Sequence, residues 1–234
     1  PLKGLKLKGG QLQIAEGVHG KSSVLNGRVL LEVQNSGTLV DSAQPFTFVV
    51  WFNPYSLEHG QQMIVAKNRY SLNEREWGVM VDRDGKLRLY VQQSGWKTVH
   101  SEIPLQVGHW HQLVIVIDQH SATLWLNGKR AGDIQLSQPI RNTNAPITFG
   151  GVDDNGRIWQ NFLGALDEAQ LFKRALSPKE IKSLYQPVTK THQIPEEIFP
   201  VKIWDNSYSL PNAQEASVLE DGLLLVNCER ASIR

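Results

Sequence analysis

The sequence contains little cysteine: Cys228 is the only one among its 234 residues. No disulfide can therefore form within the chain, and no zinc site can be built on thiolates. This excludes the small secreted scaffolds that depend on disulfides for their stability. Secretion itself stays open, because a large β-sandwich needs no such cross-links.

The sequence also lacks an excess of charge of either sign. It has 24 lysine and arginine residues against 23 acidic residues, and its formal net charge is +1. No long-range field attracts a polyanion, and no run of basic residues compensates. We therefore expect no binding to nucleic acid.

Long apolar runs and a leader segment are missing as well. No stretch of about 18 apolar residues occurs, so we expect no membrane span. The chain opens at Pro1 without a start methionine or a signal peptide, which indicates a mature or excised fragment.

Strand patterns dominate what is present. Residues 46–52, FTFVVWF, are apolar on both faces and lie between two prolines, which predicts a central strand packed from both sides. The alternating apolar residues of segment 5–14 predict an edge hairpin that turns at Gly9 and Gly10. Many short strands with turn signals and a single late helix predict an all-β fold, an antiparallel two-sheet jelly-roll sandwich.

The one helix is signalled at 178–185. Ser177 and Glu180 have the spacing of a capping box, in which each side chain binds the backbone amide of the other. Pro178 fits the first turn, and Pro187 stops the helix. We expect this helix to cover a sheet rather than to join a bundle.

The last part of the chain, residues 188–234, differs in character because prolines interrupt every element it could form. We therefore divide the chain into a sandwich domain at 1–187 and a proline-rich arm with a hairpin at 188–234.

The hairpin of the arm is predicted to turn at residues 221–222, with Val218 opposite Leu225. The arm either packs along the sandwich and completes a sheet edge, or leads to a further domain that this chain lacks. Two exposed apolar strands would promote aggregation, so we favour packing along the sandwich.

Several blocks of the sequence resemble one family. Its strands resemble PFTFVVWFNP at 45–54, GHWHQLVIVIDQHSATLWLNG at 108–128 and ITFGG at 147–151, and its closing strand and helix resemble LGALDEAQLFKRALSPKEI at 163–181. The chain is identified as a laminin-G-like (LamG-like) jelly roll of the concanavalin A-like lectin/glucanase superfamily. The resemblance covers roughly residues 19–187.

The resemblance implies an extracellular or periplasmic location and the binding of glycans or proteins. We expect a non-catalytic carbohydrate-binding module, accessory to a secreted glycoside hydrolase or another polysaccharide-degrading protein, that binds carbohydrate beside a neighbouring catalytic domain. One alternative is a structural, protein-interaction or adhesion module without glycan binding. A second alternative is glycoside hydrolysis by the chain itself, because fold alone does not fix function.

The predicted binding surface lies on the hairpin at 77–92. A two-residue turn at Asp84 and Gly85 would put Met80 on the core side and four ligand-binding candidates on the outer face, Trp77, Arg88, Tyr90 and Gln92. Trp96 follows as a rim. Sugar rings lie on aromatic faces while their hydroxyls need donors and acceptors. The alternative is a structural cross-strand aromatic patch, covered by a loop or by the C-terminal arm.

Asp167 is the one candidate for a metal ligand. Strand alternation points its carboxylate to the side of four apolar residues, Leu163, Ala165, Ala169 and Leu171. A charge there needs backbone amides, a cation or a metal. The family's matching aspartate can help to hold a structural calcium ion, so we consider a calcium site and, alternatively, a carboxylate that binds loop amides. No other cofactor is required.

Catalytic patterns are weak. The loop at 150–157 contains neighbouring acids that favour a solvated turn over a metal site. No strand carries the paired carboxylates of sandwich-fold glucanases, and Asp167 and Glu168, being adjacent on a strand, are expected to point to opposite faces. No residue is therefore assigned a catalytic role.

Overall fold

The computed structural model describes residues 5–34 and 36–188 and two strands at 216–218 and 224–226, with Gly37, Thr38 and these two strands described by backbone alone. Within those residues the chain forms, in order, β1 (Leu5–Lys8), β2 (Gln13–Glu16), β3 (Lys21–Asn26), β4 (Leu30–Val33), α1 (Ser36–Leu39), β5 (Phe46–Pro54), β6 (Gln62–Arg69), β7 (Glu74–Val81), β8 (Leu87–Gln92), β9 (Trp96–His100), β10 (His111–Ile117), β11 (Ser121–Leu126), β12 (Lys129–Gln135), β13 (Ile147–Phe149), β14 (Val152–Asp154), β15 (Arg157–Trp159), β16 (Leu163–Phe172), α2 (Pro178–Leu184), β17 (Ala216–Val218) and β18 (Leu224–Val226). None of the described helices is long and apolar enough to cross a bilayer.

The strands form two large antiparallel sheets that pack face to face. The front sheet has the order β1-β4-β13-β6-β7-β8-β9. The back sheet has the order β12-β11-β10-β5-β16-β18-β17, and β3 pairs with β16 and β2 in addition. A separate hairpin, β14–β15, lies off both sheets. The predicted all-β jelly-roll sandwich is confirmed.

Strand β5 shows how the sequence builds both sides of the back sheet. Phe48 and Phe52 face the main core and are fully buried. Val49 and Trp51, which alternate with these core residues, face outward, where Val49 packs beneath α2 and Trp51 stacks on Tyr185 with ring centroids 5.8 Å apart. The predicted central strand packed from both sides is therefore confirmed.

The helix α2 begins as the sequence predicts. Ser177 is its N-cap, the Glu180 amide donates to Ser177 Oγ (3.3 Å), and the Ser177 amide donates to Glu180 Oε2 (2.8 Å). Leu176 and Ile181, on either side of the cap, are buried against the outer face of the back sheet. The helix ends at Leu184, one residue earlier than predicted.

The first predicted hairpin is wrong, because β1 and β2 belong to different sheets. Leu7 of β1 pairs with Leu31 of the front sheet, whereas β2 pairs with β3 of the back sheet. Between them Gly9 has a φ of 85°, and a Cβ there would lie 2.1 Å from the Arg28 carbonyl oxygen. The glycine pair thus carries the chain from one sheet to the other rather than closing a turn.

The C-terminal hairpin adjoins the back sheet, where Val226 pairs with Ala169 of β16. Its register differs from the prediction by one residue, because Val218 pairs with Leu224 and not with Leu225. The rest of the arm, including Cys228, lies outside the described residues. The division of the chain at residue 187 stays a prediction.

Candidate functional site

The hairpin of β7 and β8 has a longer turn than the sequence analysis assumed. The Asp82 amide donates to the Lys86 carbonyl (2.8 Å), which leaves three residues in the turn, and of these Gly85 alone has positive φ (73°). A two-residue type I′ turn needs positive φ at both central positions. Asp84 would occupy the first of them, and its φ is not positive. Val81 therefore pairs with Leu87. The predicted register is wrong by one residue, and such a slip exchanges the two faces of a strand.

Trp77 is therefore a core residue, and its assignment as a sugar-binding ring is corrected. Its side chain is fully buried, with ring centroids 5.3 Å from Phe46 and 6.4 Å from Phe48. Its indole Nε1 donates to Ser42 Oγ at 3.0 Å. Met80, which the predicted register placed in the core, lines a cleft on the outer face instead.

The other candidates lie on the outer face of the front sheet, in and around a cleft of about 250 Å³ that we call the Trp96 cleft. Its walls and floor are formed by Gln61, Tyr70, Met80, Arg88, Tyr90, Trp96, Thr98 and Gln160. Trp96 is 42% exposed and stands edge-on to Tyr90 and Tyr70, with centroid distances of 5.0 and 6.1 Å. Gln92 is not brought into this cleft, since its side-chain amide donates to the neighbouring Gln93 carbonyl.

The floor of the cleft depends on a glycine. Gly78 of β7 lies directly opposite Tyr90 of β8, and a Cβ on Gly78 would come within 2.4 Å of Tyr90 Oη. The missing side chain leaves room for the phenol ring to lie across the sheet, where it is 4% exposed. Burial raises the pKa of Tyr90, so its hydroxyl keeps its proton at neutral pH.

Hydrogen bonds fix the polar groups of the cleft in place. Asn68 Nδ2 donates to Tyr90 Oη (2.8 Å), and Tyr90 Oη lies 3.1 Å from Tyr70 Oη. Tyr70 Oη donates weakly to Gln160 Oε1 (3.5 Å), and Gln160 Nε2 donates to Gln61 Oε1 (3.2 Å). The side chains are thus held in position before any ligand arrives, which lowers the entropic cost of binding.

Arg88 and Asp82 extend this network along the hairpin. Gln61 Nε2 donates to Asp82 Oδ1 (3.3 Å), and Arg88 Nε lies 3.1 Å from Asp82 Oδ2. The pKa of Asp82 is lowered against the effect of burial, because the Arg83 amide, Gln61 and Arg88 all favour the carboxylate.

A larger groove of about 920 Å³ continues from the Trp96 cleft, and we call it the Trp159 groove. The two share Gln61, Tyr70 and Gln160. Besides these and two glycines, its lining residues are Asn26, Arg28, His59, Arg83, Asp154, Trp159, Asn161 and Leu163. Together they form one surface with exposed tryptophans in both of its parts.

Trp159, which the sequence analysis missed, is presented by the β14–β15 hairpin. Asn155 and Gly156 both have positive φ (56° and 89°), as a type I′ turn requires. Trp159 is 40% exposed, and the Arg157 guanidinium lies 3.7 Å from its ring centroid. The Asn-Gly pair between VDD and RIW is the sequence signal that indicates this hairpin.

The acids of that hairpin bind groups of the protein itself. The Asp153 carboxylate accepts from the Gly156 amide (2.7 Å) and from Lys8. Asp154 Oδ1 accepts from the Ser71 amide (2.8 Å) and hydroxyl (2.7 Å). In the described part of the chain, no group of three or more His, Cys, Asp or Glu side chains converges as a metal site.

Asp167 lies on the outer face of the back sheet, on β16, and is 2% exposed. Its Oδ2 accepts from the amides of Val18 (2.8 Å) and His19 (3.2 Å), and its Oδ1 accepts from that of Glu168 (2.9 Å). Burial raises the pKa of its carboxyl to about 7. Both oxygens face N–H donors, which repel a cation, so this arrangement does not fit a calcium ion.

The calcium site stays a prediction. A melting temperature that rises with calcium and falls with a chelator would support it.

The predicted face of Asp167 is partly wrong. Ala165 shares its face, whereas a bulge after Asp167, in which Glu168 has a φ of 48°, turns Ala169 and Leu171 into the main core.

Comparison with known proteins agrees with this architecture. A family model described as the concanavalin A-like lectin/glucanases superfamily matches residues 28–182. Serum amyloid P-component of Mesocricetus auratus is 28% identical over 155 residues, which cover 60% of this chain. The same match spans 62% of that curated relative, less than two thirds of its length.

Solved structures of similar fold include two domains of larger proteins. Domain 4 of AbnA, a GH43 extracellular arabinanase from Geobacillus stearothermophilus in complex with arabinotriose, has a TM-score of 0.63 at 23% identity and covers 78% of this chain and 88% of its own. The binding domain of Paraclostridial Mosquitocidal Protein 1 has a TM-score of 0.63 at 18% identity, and the match covers 77% of this chain and 47% of that one. At these identities the likeness supports the fold alone.

Proposed function

Because the chain belongs to the concanavalin A-like lectin/glucanases superfamily, as predicted, and its surface presents a preformed groove, we propose that it is a non-catalytic carbohydrate-binding module. The observation that carries the proposal is the pairing of exposed tryptophans with fixed amide groups. Trp96 and Trp159 belong to the two connected parts of the groove, and Gln61 and Gln160 line both parts.

This combination matches the chemistry of a saccharide. The C–H faces of a sugar ring are apolar and pack on aromatic rings, while its hydroxyl groups need both donors and acceptors. Side-chain amides supply both, and Gln61 and Gln160 are already aligned by their mutual hydrogen bond (3.2 Å). The size of the combined groove suits an oligosaccharide rather than a single sugar.

The groove favours binding over hydrolysis. Asp154 lines it, but its Oδ1 accepts two hydrogen bonds from Ser71. Asp82, at its border, forms an ion pair with Arg88 and accepts from Gln61. An acid that must donate a proton to a glycosidic oxygen needs a raised pKa, whereas that of Asp82 is lowered.

The module is proposed to act as an accessory unit of a secreted polysaccharide-degrading protein, outside the cytoplasm. Support for this part comes from the arabinanase domain of similar fold, whose parent enzyme is extracellular and which was solved with arabinotriose. A neighbouring catalytic domain would then gain a higher local concentration of substrate, because both sites act on one polymer.

The proposal is tested by titrating the chain with a panel of plant and algal oligosaccharides in a calorimeter. Trp96→Ala and Trp159→Ala should each weaken binding of the recognised saccharide roughly 5- to 30-fold, since a well-placed tryptophan contributes about 1–2 kcal/mol. Ile14→Ala is the control, because Ile14 is 49% exposed but lies on β2 of the back sheet.

Three results would contradict the proposal. The first is that no saccharide binds. The second is that both tryptophan variants bind as well as the wild type does. The third is that the chain dimerises in light scattering and masks Trp96 and Trp159 without binding sugar, which would support the protein-interaction alternative.

A further inference from the structure

Two arginines of the Trp159 groove lack an acidic partner. Arg28 and Arg83 both line the groove and are exposed. Neither forms an ion pair with a carboxylate of any described residue, whereas the neighbouring Arg88 and Arg69 pair with Asp82 and Glu74. The groove therefore presents two guanidinium groups that are open to a ligand.

The two arginines outnumber the acid in the same groove. Asp154 is the only carboxylate among the described lining residues, and its Oδ1 is engaged by the amide and hydroxyl of Ser71 at 2.8 and 2.7 Å. His59 adds two further ring nitrogens to the lining. A hydrogen bond from a neutral donor does not remove the charge of a carboxylate, so the described lining has two arginines against one acid and a formal surplus of one positive charge.

The two arginines are carried by tight turns, which fixes their backbones. Arg28 follows Gly27, whose φ is 75° and whose amide donates to the Phe162 carbonyl (3.1 Å). Arg83 belongs to the three-residue turn between β7 and β8, and its amide donates to Asp82 Oδ1 (2.8 Å). Little backbone entropy is lost when a ligand engages them.

We infer that the groove binds an anionic saccharide, one whose sugar rings carry carboxylate or sulfate groups; this inference rests on the proposed carbohydrate-binding function. A guanidinium presents a planar fork of N–H donors that matches the oxygens of a carboxylate or a sulfate. Trp159 supplies an aromatic surface in the same groove, so ring stacking and charge recognition act on one ligand.

The test compares charged oligosaccharides with matched neutral ones. Tetragalacturonate and its full methyl ester form the carboxylate arm, and a κ-carrageenan tetrasaccharide and its desulfated form provide the sulfate arm. At about 50 mM salt we expect the anionic member of one pair to bind at least about tenfold more tightly than its neutral counterpart, and the difference should shrink at about 500 mM salt. The pair that shows the difference identifies the anion.

Two variants locate the effect. Arg28→Gln and Arg83→Gln keep hydrogen-bonding groups but remove the charge, and each should reduce binding of the anionic ligand roughly tenfold while leaving binding of a neutral ligand unchanged. Arg130→Gln is the matched control, because Arg130 is an exposed arginine on β12 of the back sheet, paired with Asp133.

The outcomes separate this inference from the proposed function. Equal binding of charged and neutral members, insensitive to salt and to both arginine variants, would overturn the anionic preference and leave the carbohydrate-binding proposal standing. An unchanged preference in both arginine variants would overturn the assignment to this groove. No binding of any saccharide would refute both.

Discussion

Replacing Trp77 distinguishes the observed register of the β7–β8 hairpin from the predicted register, which is shifted by one residue. The side chain is fully buried between Phe46 and Phe48, and its indole donates to Ser42 Oγ at 3.0 Å. Trp77→Ala leaves a large cavity and a buried hydroxyl without its donor, so it should lower the free energy of unfolding by about 3–5 kcal/mol. Domains of ordinary stability have about 5–15 kcal/mol to lose, so the variant should fold but unfold at much lower urea concentration.

Trp96→Ala is the matched substitution, because Trp96 is 42% exposed on the outer face of the same sheet. It loses two edge-on aromatic contacts of a partly exposed ring and should cost about 1–2 kcal/mol, well below the cost of Trp77→Ala. Urea unfolding followed by far-UV circular dichroism measures both variants without depending on tryptophan fluorescence. If Trp77→Ala unfolded at the wild-type midpoint and lost saccharide binding instead, the ring would lie on the outer face and the core position assigned to it would be refuted.

Three further results are expected. Burial raises the pKa of the Asp167 carboxyl to about 7 from an ordinary 3.8, so the folded state binds the proton more tightly than the unfolded state does. The free energy of unfolding should therefore fall by up to about 4 kcal/mol as pH rises from about 4 to about 7. The same decline in Asp167→Asn would contradict this. Gly78→Ala should weaken saccharide binding severalfold in calorimetry, because its Cβ would lie 2.4 Å from Tyr90 Oη, whereas Gly95→Ala, with no atom within 4 Å of the new methyl group, should not. Ser177→Ala should lower the free energy of unfolding by about 1 kcal/mol through loss of the helix cap, and thermal melts that match the wild type would disprove it.

Local signals predicted local structure well. The capping box of Ser177 and Glu180 depends on residues three positions apart, so the helix start could be inferred from the sequence alone. The same holds for Asn127 and Gly128, an Asn-Gly pair that favours a two-residue turn: both have positive φ, and Leu126 lies opposite Lys129. In each case the interaction that decides the geometry lies within the segment.

The Asp84–Gly85 turn shows where such inference fails. Asp-Gly fits a two-residue turn, but it fits equally well as the last two positions of a three-residue turn, with glycine alone at positive φ. The sheet decides between them: the observed register buries Trp77, Val79 and Val91 together in the main core. In the predicted register Trp77 and Val79 would face solvent, whereas Val91 would keep its place on the core side. Apolar residues on both strands made the two faces hard to tell apart, and only the second sheet, which packs on one of them, distinguishes them.

The groove itself could not be predicted by any local pattern. Its lining brings together Arg28 from the β3–β4 turn, His59 from the β5–β6 loop, Arg83 from the β7–β8 turn and Trp159 from β15. These segments meet only because the sandwich places their loops at one end of its strands, and no spacing along the chain records that meeting. A sandwich can therefore keep its strands and change its ligand by exchanging a few loop residues. It follows that the identity of the proposed saccharide ligand is to be sought in these four side chains rather than in the strand motifs by which the family is recognised.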